Sequence, residues 1–302
     1  MESLTDFENV GLFDMRYRAF LETITQVRPR LHRYCARMLG SVMDGEDLVQ
    51  EALFQAYRKL EMFDDSRPLT PWLFRIAHNL CIDALRRRGV RDDAEHRAVV
   101  DESIDPIEPA GRAVTRAIEY LVLTLPPKER ACVLLKDVLD YSLEEIAELV
   151  DSSVGGVKAA LNRGRRKLAA PEARPAQPRQ AGADATRLMR LYCERFNRHD
   201  WDAVRELISA DARLLFPNGY AGRLAGSPYF SKYDETEFGW RMAVGQVDGE
   251  PAIIRLREEA AGWTPDSVIR LEWDDTHVIR ITDYHWCPWV LAAAASVSVE
   301  ST

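Results

Sequence analysis

Apolar residues recur every three to four positions through most of residues 12–90 and again through 113–170, the spacing of helices with one buried side. Pro29, Gly40, Gly45, Pro68 and Pro71 punctuate the first stretch and predict its breaks. Between the stretches lies "GVRDDAEHRAVVDESIDPIEPAGR", acidic and carrying two prolines, so 91–112 reads as a linker. Residues 171–184, within the Pro-, Ala- and Gly-rich "APEARPAQPRQAGADA", read as a second linker. The period then changes. "ATRLMRLYCERFNRHDWDAVRELISADARLLFP" predicts two helices leading into a strand. "PAIIRLREEA", "DSVIRLEWDD" and "THVIRITDYHW" alternate apolar and polar residues, as half-buried strands do. The pattern predicts a multidomain chain, with all-α domains at 12–90 and 113–170 and an α+β domain at 185–295. The tail "AAAASVSVEST" reads as frayed.

Within the second helical stretch, "YSLEEIAELVDSSVGGVKAALNRGRRKL" has the form of a helix-turn-helix. Ser142 and Glu145 make an S-x-x-E capping box, and Ile146, Ala147 and Leu149 supply a buried side. Ser152 or Ser153 caps a second helix whose inward stripe is Val157, Leu161 and Leu168. Ser153, Lys158, Asn162, Arg163 and Arg166 fall on its outward side, where a recognition helix meets base edges and phosphates. The plainer reading is a helical hairpin with a solvated cationic end.

In the first stretch, "DGEDLVQEALFQAYRKLEMFDD" buries Val49, Ala52, Leu53, Ala56 and Leu60 on one stripe. Asp47, Gln50, Glu51 and Phe54 make another face. A phenylalanine among carboxylates there suggests a protein partner with a basic surface, unless Phe54 packs on a neighbouring helix. Next, "PWLFRIAHNLCIDALRRRG" has one apolar side, while Arg75, Asn79 and Arg86 lie on the other and Arg86, Arg87 and Arg88 end it.

Composition narrows the function classes. The 302 residues are 46% hydrophobic and 29% charged, ordinary for a globular protein. A net charge of −8 argues against nonspecific coating of nucleic acid and leaves room for local basic patches at 86–88 and 163–167. No apolar run reaches a membrane span, and the acidic start lacks a signal-peptide core, so the expected place of action is the cytoplasm. Five scattered cysteines with no C-x-x-C pair predict no disulfide framework, and the reading calls for no metal and no cofactor. His32 and Cys35 read as a surface histidine beside a buried cysteine.

"DLVQEALFQAYRKL" followed by "PWLFRIAHNLCIDALRRR" resembles region 2 of bacterial sigma factors of the extracytoplasmic-function group. "LPPKERACVLLKDVLDYSLEEIAELVDSSVGGVKAALNRGRRKL" resembles their region 4. The resemblance covers roughly residues 12–170 and implies a factor that binds core RNA polymerase and directs promoter-specific initiation. Asp47, Gln50, Glu51 and Phe54 would then meet the clamp helices of the largest subunit, and region 4 the flap. The 72–88 helix and the loop "FDDSRPLTP" would capture bases of the melted −10 element. Arg75, Asn79 and Arg86 would bind bases or backbone, and Arg87 and Arg88 duplex phosphates. Single strands are held by aromatic stacking and a cationic track. Trp72 fits a stacking role and the core equally well. The helix-turn-helix would read the −35 element. Where many relatives carry S-R-L-H-R-A-R, this chain has "AALNRGR", so Ala159 and Ala160 put part of that readout in doubt.

The third segment resembles the start of SnoaL-like domains of the nuclear transport factor 2-like superfamily, which implies a curved sheet closing a conical pocket. Its chemistry would need a buried acid or base, for which Asp274, Asp275, Asp283, Tyr284 and His285 are candidates, with His285 favoured as core. Trp201, Phe216, Tyr220, Trp240, Trp273 and His285 are candidate lining for a small-molecule pocket, and aromatic core packing explains most of them as well. Such an extension implies control of the sigma factor in cis. Two rivals remain: a one-component regulator pairing the helix-turn-helix with a ligand sensor, and a SnoaL-like cyclase or isomerase on a DNA-binding arm.

Overall fold

A computed structural model describes residues 4–64, 66–95, 124–169, 183–217, 219–274 and 276–300. Most of the two expected linkers therefore lies outside the described residues. The chain divides into two compact units, one helical and one α+β.

The helical unit begins with α1 (Leu4–Leu39), α2 (Val42–Arg58), a 3-10 turn (Leu60–Met62) and α3 (Leu69–Glu95). α4 (Pro127–Val133), a π turn (Leu134–Val138), α5 (Leu143–Leu149) and α6 (Val154–Leu168) complete it. Pro29 does not break the first helix as the sequence predicted. α1 runs through it, with Val27 and Leu31 buried on either side, so tertiary packing outweighs the lost backbone donor. Gly40, at φ +79°, does end α1. Gly45, predicted as a break, instead lies inside α2. A Cβ there would stand 2.6 Å from the Ala36 backbone nitrogen, so only glycine lets α2 approach α1 this closely.

The predicted stripe of α2 is turned inward: Val49, Ala52, Ala56 and Leu60 are fully buried and Leu53 half-buried. α3 buries Leu73, Phe74, Ala77 and Cys81. Phe74 and its neighbours join a core that also holds Leu125, Cys132, Ile146, Val157, Ala160 and Leu161 of the second helical stretch. The two stretches therefore share one hydrophobic core. At the seam, Phe74 packs between Tyr34 and Tyr141, with ring centroids 5.8 Å and 5.3 Å away. The buried Arg130 guanidinium donates to the carbonyls of Met38 and, at 3.0 Å, Leu125, and burial pushes its pKa down to about 10. Arg28 and Glu46 form a buried ion pair between α1 and α2. His32, read as a surface residue, is fully buried, because α1 is covered on more sides than a two-sided helix would be.

The α+β unit opens with α7 (Ala183–Asn197) and α8 (Trp201–Glu206) and continues through β1 (Ile208–Phe216), β2 (Tyr220–Arg223) and α9 (Tyr229–Asp234). β3 (Trp240–Val247), β4 (Glu250–Glu259), β5 (Gly262–Trp273), β6 (Val278–Asp283), α10 (Pro288–Ala293) and β7 (Val297–Val299) follow. The seven strands form one sheet in the order β2-β1-β6-β5-β4-β3-β7, with β1 and β6 parallel and the other neighbours antiparallel. Asp248 and Gly249, both at positive φ, make the two-residue turn between β3 and β4. Asn197 ties α7 to the sheet: its side-chain amide donates to the Met242 carbonyl at 2.8 Å and its oxygen accepts from Met242 N at 2.6 Å. The tail expected to fray contributes β7, which pairs with β3 and is followed by a Glu300–Arg190 ion pair at 2.9 Å. This mixed sheet with helices is the expected α+β architecture. Among the described residues no helix is long and apolar enough to cross a membrane.

His78 makes the helical unit's stability depend on pH. Its Nδ1 lies 2.7 Å from the Tyr34 hydroxyl, and burial pushes its pKa from 6.5 down to about 4. The unfolded chain takes up this proton near pH 6.5 and the folded chain only near 4, so the contribution is lost as pH falls through that window. The loss amounts to about 3 kcal/mol at about 1.4 kcal/mol per pH unit. Urea denaturation at pH 7 and pH 4.5 should show His78→Gln losing less stability than the parent; equal losses would contradict the assignment.

Candidate nucleic-acid and polymerase interfaces

α3 presents its charged side to solvent. Arg75, Asn79, Arg86 and Arg87 are exposed. Trp72 is half-buried and packs on Phe63, ring centroids 4.6 Å apart, so it serves the small cluster around Phe20 and Leu73 and still shows one edge. The loop before α3 is held by Asp64, whose carboxylate accepts from the Ser66 amide at 3.0 Å and hydroxyl at 2.7 Å. Asp65 lies outside the described residues. Arg88 differs from its neighbours. It is ion-paired with Asp44 and donates to the Leu39 carbonyl at 2.9 Å, so it braces α3 against the α1–α2 corner.

A cleft of about 740 Å³ runs along this face, with Phe63, Arg67, Trp72 and Arg75 on one wall. Glu145, Glu148 and Asp151, from α5 and the turn after it, stand on the other. The cationic side of α3 thus faces carboxylates of its own chain.

On α2, Glu51 and Phe54 are exposed, Phe54 at 56%, and Asp47 and Gln50 are half-buried. Phe54 is not packed under a neighbouring helix; its nearest cation is Arg58, 5.8 Å from the ring centroid. Tyr57, one turn further on, is also exposed and extends the apolar patch. The i, i+3 spacing from Phe54 was the available signal for it.

The capping box forms as predicted: Glu145 N donates to Ser142 Oγ at 3.2 Å and Ser142 N to Glu145 Oε2 at 2.7 Å. Those bonds hold the Glu145 carboxyl below the usual range. Ser153 caps α6 by accepting from Gly156 N at 3.1 Å, so its hydroxyl already has a structural duty. Lys158, Asn162 and Arg166 are exposed together along a groove of about 620 Å³ that Lys136 and Arg165 also line. The sequence reading missed these two. Lys136 comes from another helix, and Arg165 is ion-paired to Asp137 at 2.5 Å. Arg163 turns inward enough to bind Glu129 at 2.8 Å, and Lys167 binds the same carboxylate at 2.8 Å. Ala160 is fully buried. With Gly164, where a Cβ would meet Val133 at 2.9 Å, it belongs to the inward stripe rather than to an outer readout face.

In the α+β unit, a cavity of about 270 Å³ is lined by Phe216, Tyr229, Lys232, Tyr233, Arg255, Asp283, His285 and Trp286 among others. Two of the six predicted pocket residues, Phe216 and His285, are there. Trp201 and Trp240 instead pack around Phe196, with centroids 4.9 Å and 5.7 Å from it. Trp201 Nε1 donates to Asp234 at 2.9 Å and Trp240 Nε1 to the Tyr233 carbonyl at 3.1 Å. Trp273 packs on the edge of that core, and Tyr220 is exposed on β2. Aromatic identity alone did not distinguish core from cavity. Of the acid–base candidates, Asp274 is exposed and caps the β5–β6 loop, Tyr284 is buried outside the cavity lining, and Asp275 lies outside the described residues. Asp283 is fully buried. Its Oδ2 accepts from Tyr233 at 2.6 Å and Tyr229 at 3.2 Å, and its Oδ1 from His285 N at 2.9 Å.

The capped helix pair and its cationic outer face define a helix-turn-helix DNA-binding protein. Family profiles refine the class: one described as Sigma-70 region 2 matches residues 23–91, and one described as Sigma-70, region 4 matches 115–168. The ECF RNA polymerase sigma factor SigW of Bacillus subtilis (strain 168) is 32% identical over 162 residues, covering 50% of this chain and 87% of SigW. SigG of Mycobacterium tuberculosis (strain H37Rv), another ECF sigma factor, is 32% identical over 228 residues, covering 66% of this chain and 61% of SigG. The crystal structure of the extracytoplasmic-function sigma factor SigJ of M. tuberculosis aligns over 87% of this chain and 95% of that one, at 16% identity and TM-score 0.37. A putative polyketide cyclase of Xanthomonas campestris pv. campestris aligns over 36% of this chain and 96% of that one, at 20% identity and TM-score 0.24. The chain belongs to the extracytoplasmic-function group of sigma-70 RNA polymerase sigma factors.

The two arginine environments on α3 should separate in a stability measurement. Arg88→Ala removes the ion pair to Asp44 and the hydrogen bond to the Leu39 carbonyl and should cost about 1–3 kcal/mol in urea denaturation. Arg75→Ala, on the exposed side, should stay within about 0.5 kcal/mol. Equal effects would show that Arg88 does not brace the fold.

Proposed function

We propose that this sigma factor engages core RNA polymerase through the α2 face of Asp47, Gln50, Glu51 and Phe54, with Tyr57 extending it, and through region 4 at the flap. The outward side of α3 binds the melted −10 element. Trp72 offers an edge for a base, Arg75 and Asn79 meet bases or backbone, and Arg86 and Arg87 meet phosphates. Lys158, Asn162 and Arg166 meet the −35 element, with Arg163 and Ser153 holding the recognition helix in place. The work is done in the cytoplasm, where polymerase and promoter are, and the polymerase supplies the chemistry.

The observation that carries this reading is the set of exposed cations on α3 beside a half-buried tryptophan. The same face, in this structure, looks across a cleft at Glu145, Glu148 and Asp151. Elements at −10 and −35 lie roughly two turns of duplex apart, about 70 Å. Helical stretches that share one core do not span that distance, so promoter engagement requires them to separate. The form described here is a closed one, its −10 face screened by carboxylates in place of phosphates. The α+β unit modulates this sigma factor in cis, and its cavity is the natural place for a small-molecule signal.

Run-off transcription with core polymerase on the protein's own upstream promoter tests the reading. The full chain should give a transcript. Trp72→Ala and Arg75→Ala should each reduce it about tenfold, within the ~1–3 kcal/mol range of a stacked base. A chain ending at Ala176 reports the sign of the modulation: more product means inhibition by the α+β unit, less means assistance. A folded, full-length chain that supports no transcript, on a promoter competent in cell extract, would overturn the proposal.

A further inference from the structure

The cavity beside Asp283 has features that packing alone does not require. Asp283 is fully buried at the end of β6, and among the described residues no cation is ion-paired to it. Its partners are two tyrosine hydroxyls from α9 and one backbone amide, and burial pushes its carboxyl up, toward the neutral form. A buried carboxylate kept only for structure is normally paired or replaced by an apolar residue. Here α9 turns both tyrosines to it at the inner end of an open cavity.

The rest of the lining sorts into two kinds. Phe216, Tyr229 and Trp286 give flat apolar walls, with the Phe216 and Trp286 rings 4.7 Å apart. Lys232 and Arg255 give positive charge, and Lys232 Nζ lies 5.4 Å from the Trp286 ring centroid at the mouth. Arg255 is almost fully buried and binds Asp266, yet its Nε has no protein partner. His285 Nδ1 has none either, and burial together with Arg255 holds its imidazole down, toward the neutral form. Glu235 is the other carboxylate in the lining, and it is exposed to solvent. The inner wall thus combines a buried carboxyl capped by two hydroxyls, an imidazole with an open Nδ1, an under-satisfied guanidinium and an ammonium at the rim. That set favours a flat guest bearing one negative oxygen group. The volume, about 270 Å³, is just below that of drug-sized sites and suits one or two rings.

We propose that this cavity binds a small aromatic monoanion, a carboxylate or phenolate of one or two rings, with its ring against the wall that Phe216 and Trp286 form together and its charged oxygen toward Lys232 and Arg255. The proposal deepens the modulatory reading of the α+β unit. Binding is measured directly, so its failure is distinguishable from a failure of modulation, which transcription by the shortened chain reports.

The test is titration of the full chain with salicylate, 1-naphthoate and the neutral salicylamide, followed by calorimetry and tryptophan fluorescence. At least one of the two anions should bind saturably with a sub-millimolar Kd, and salicylamide at least tenfold more weakly. Lys232→Met and Trp286→Ala, both at the exposed mouth and so compatible with folding, should each weaken the anion at least fivefold. Asp283→Asn keeps the size of the side chain and should not weaken either anion, because the guest's charged oxygen is held by Lys232 and Arg255. No saturable binding of either anion up to several millimolar would overturn the proposal, as would binding that both mouth variants leave unchanged or that salicylamide matches.

Discussion

Phe74 holds the helical unit in the form described here. It lies on the buried side of α3, between Tyr34 of α1 and Tyr141 just before α5, and links the two helical stretches into one core. Fully burying an aromatic side chain is among the larger single contributions to a core, with about 3–5 kcal/mol lost on truncation to alanine. Arg130 adds a directional lock, because a buried guanidinium must keep its carbonyl acceptors, one of which, Met38, lies in the other stretch. The α3 face opposite Phe74 carries the cations. Helical geometry therefore couples the two: whatever holds Phe74 in the core also sets what Arg75 and Asn79 look at.

That coupling gives the closed form a physical logic. The acidic wall of α5 is available to screen α3 because capping residues at a helix N-terminus are favoured to be acidic. Glu145 caps α5 and lines the cleft with the same carboxylate-bearing side chain. On the proposed reading, DNA and the closed form compete for one cationic face, and the apolar seam decides how much binding energy polymerase and promoter must contribute to open it.

Much of this was legible in the sequence. The stripes of α2 and α3, the capping box at Ser142 and the cap at Ser153 follow from local spacing, and the structure has them where periodicity puts them. The Asp-Gly turn at 248–249 went unread, although its residue types were the available signal. What spacing does not carry is the identity of long-range partners. Arg88 and Arg163 look like their exposed neighbours in sequence, and only the approach of Asp44 and Glu129 from other helices separates them. Gly45 reads as a break until Ala36 stands against it. Most of the cavity's lining was missed for the same reason, although the expected pocket residues Phe216 and His285 are in it. Tyr229, Tyr233 and Arg255 are unremarkable in their own segments and meet Asp283 only when α9 closes over the sheet.

The central claim is that the two helical stretches share a core in the free protein and part on the promoter. It is tested most directly by the distance between spin labels at Lys59 and Glu144, both exposed and outside the contact faces. In the free chain the account predicts a single narrow distribution. With core polymerase and promoter DNA bound, and transcription confirmed in the same sample, the mean should lengthen by tens of ångströms. An unchanged distribution in that active complex would contradict it.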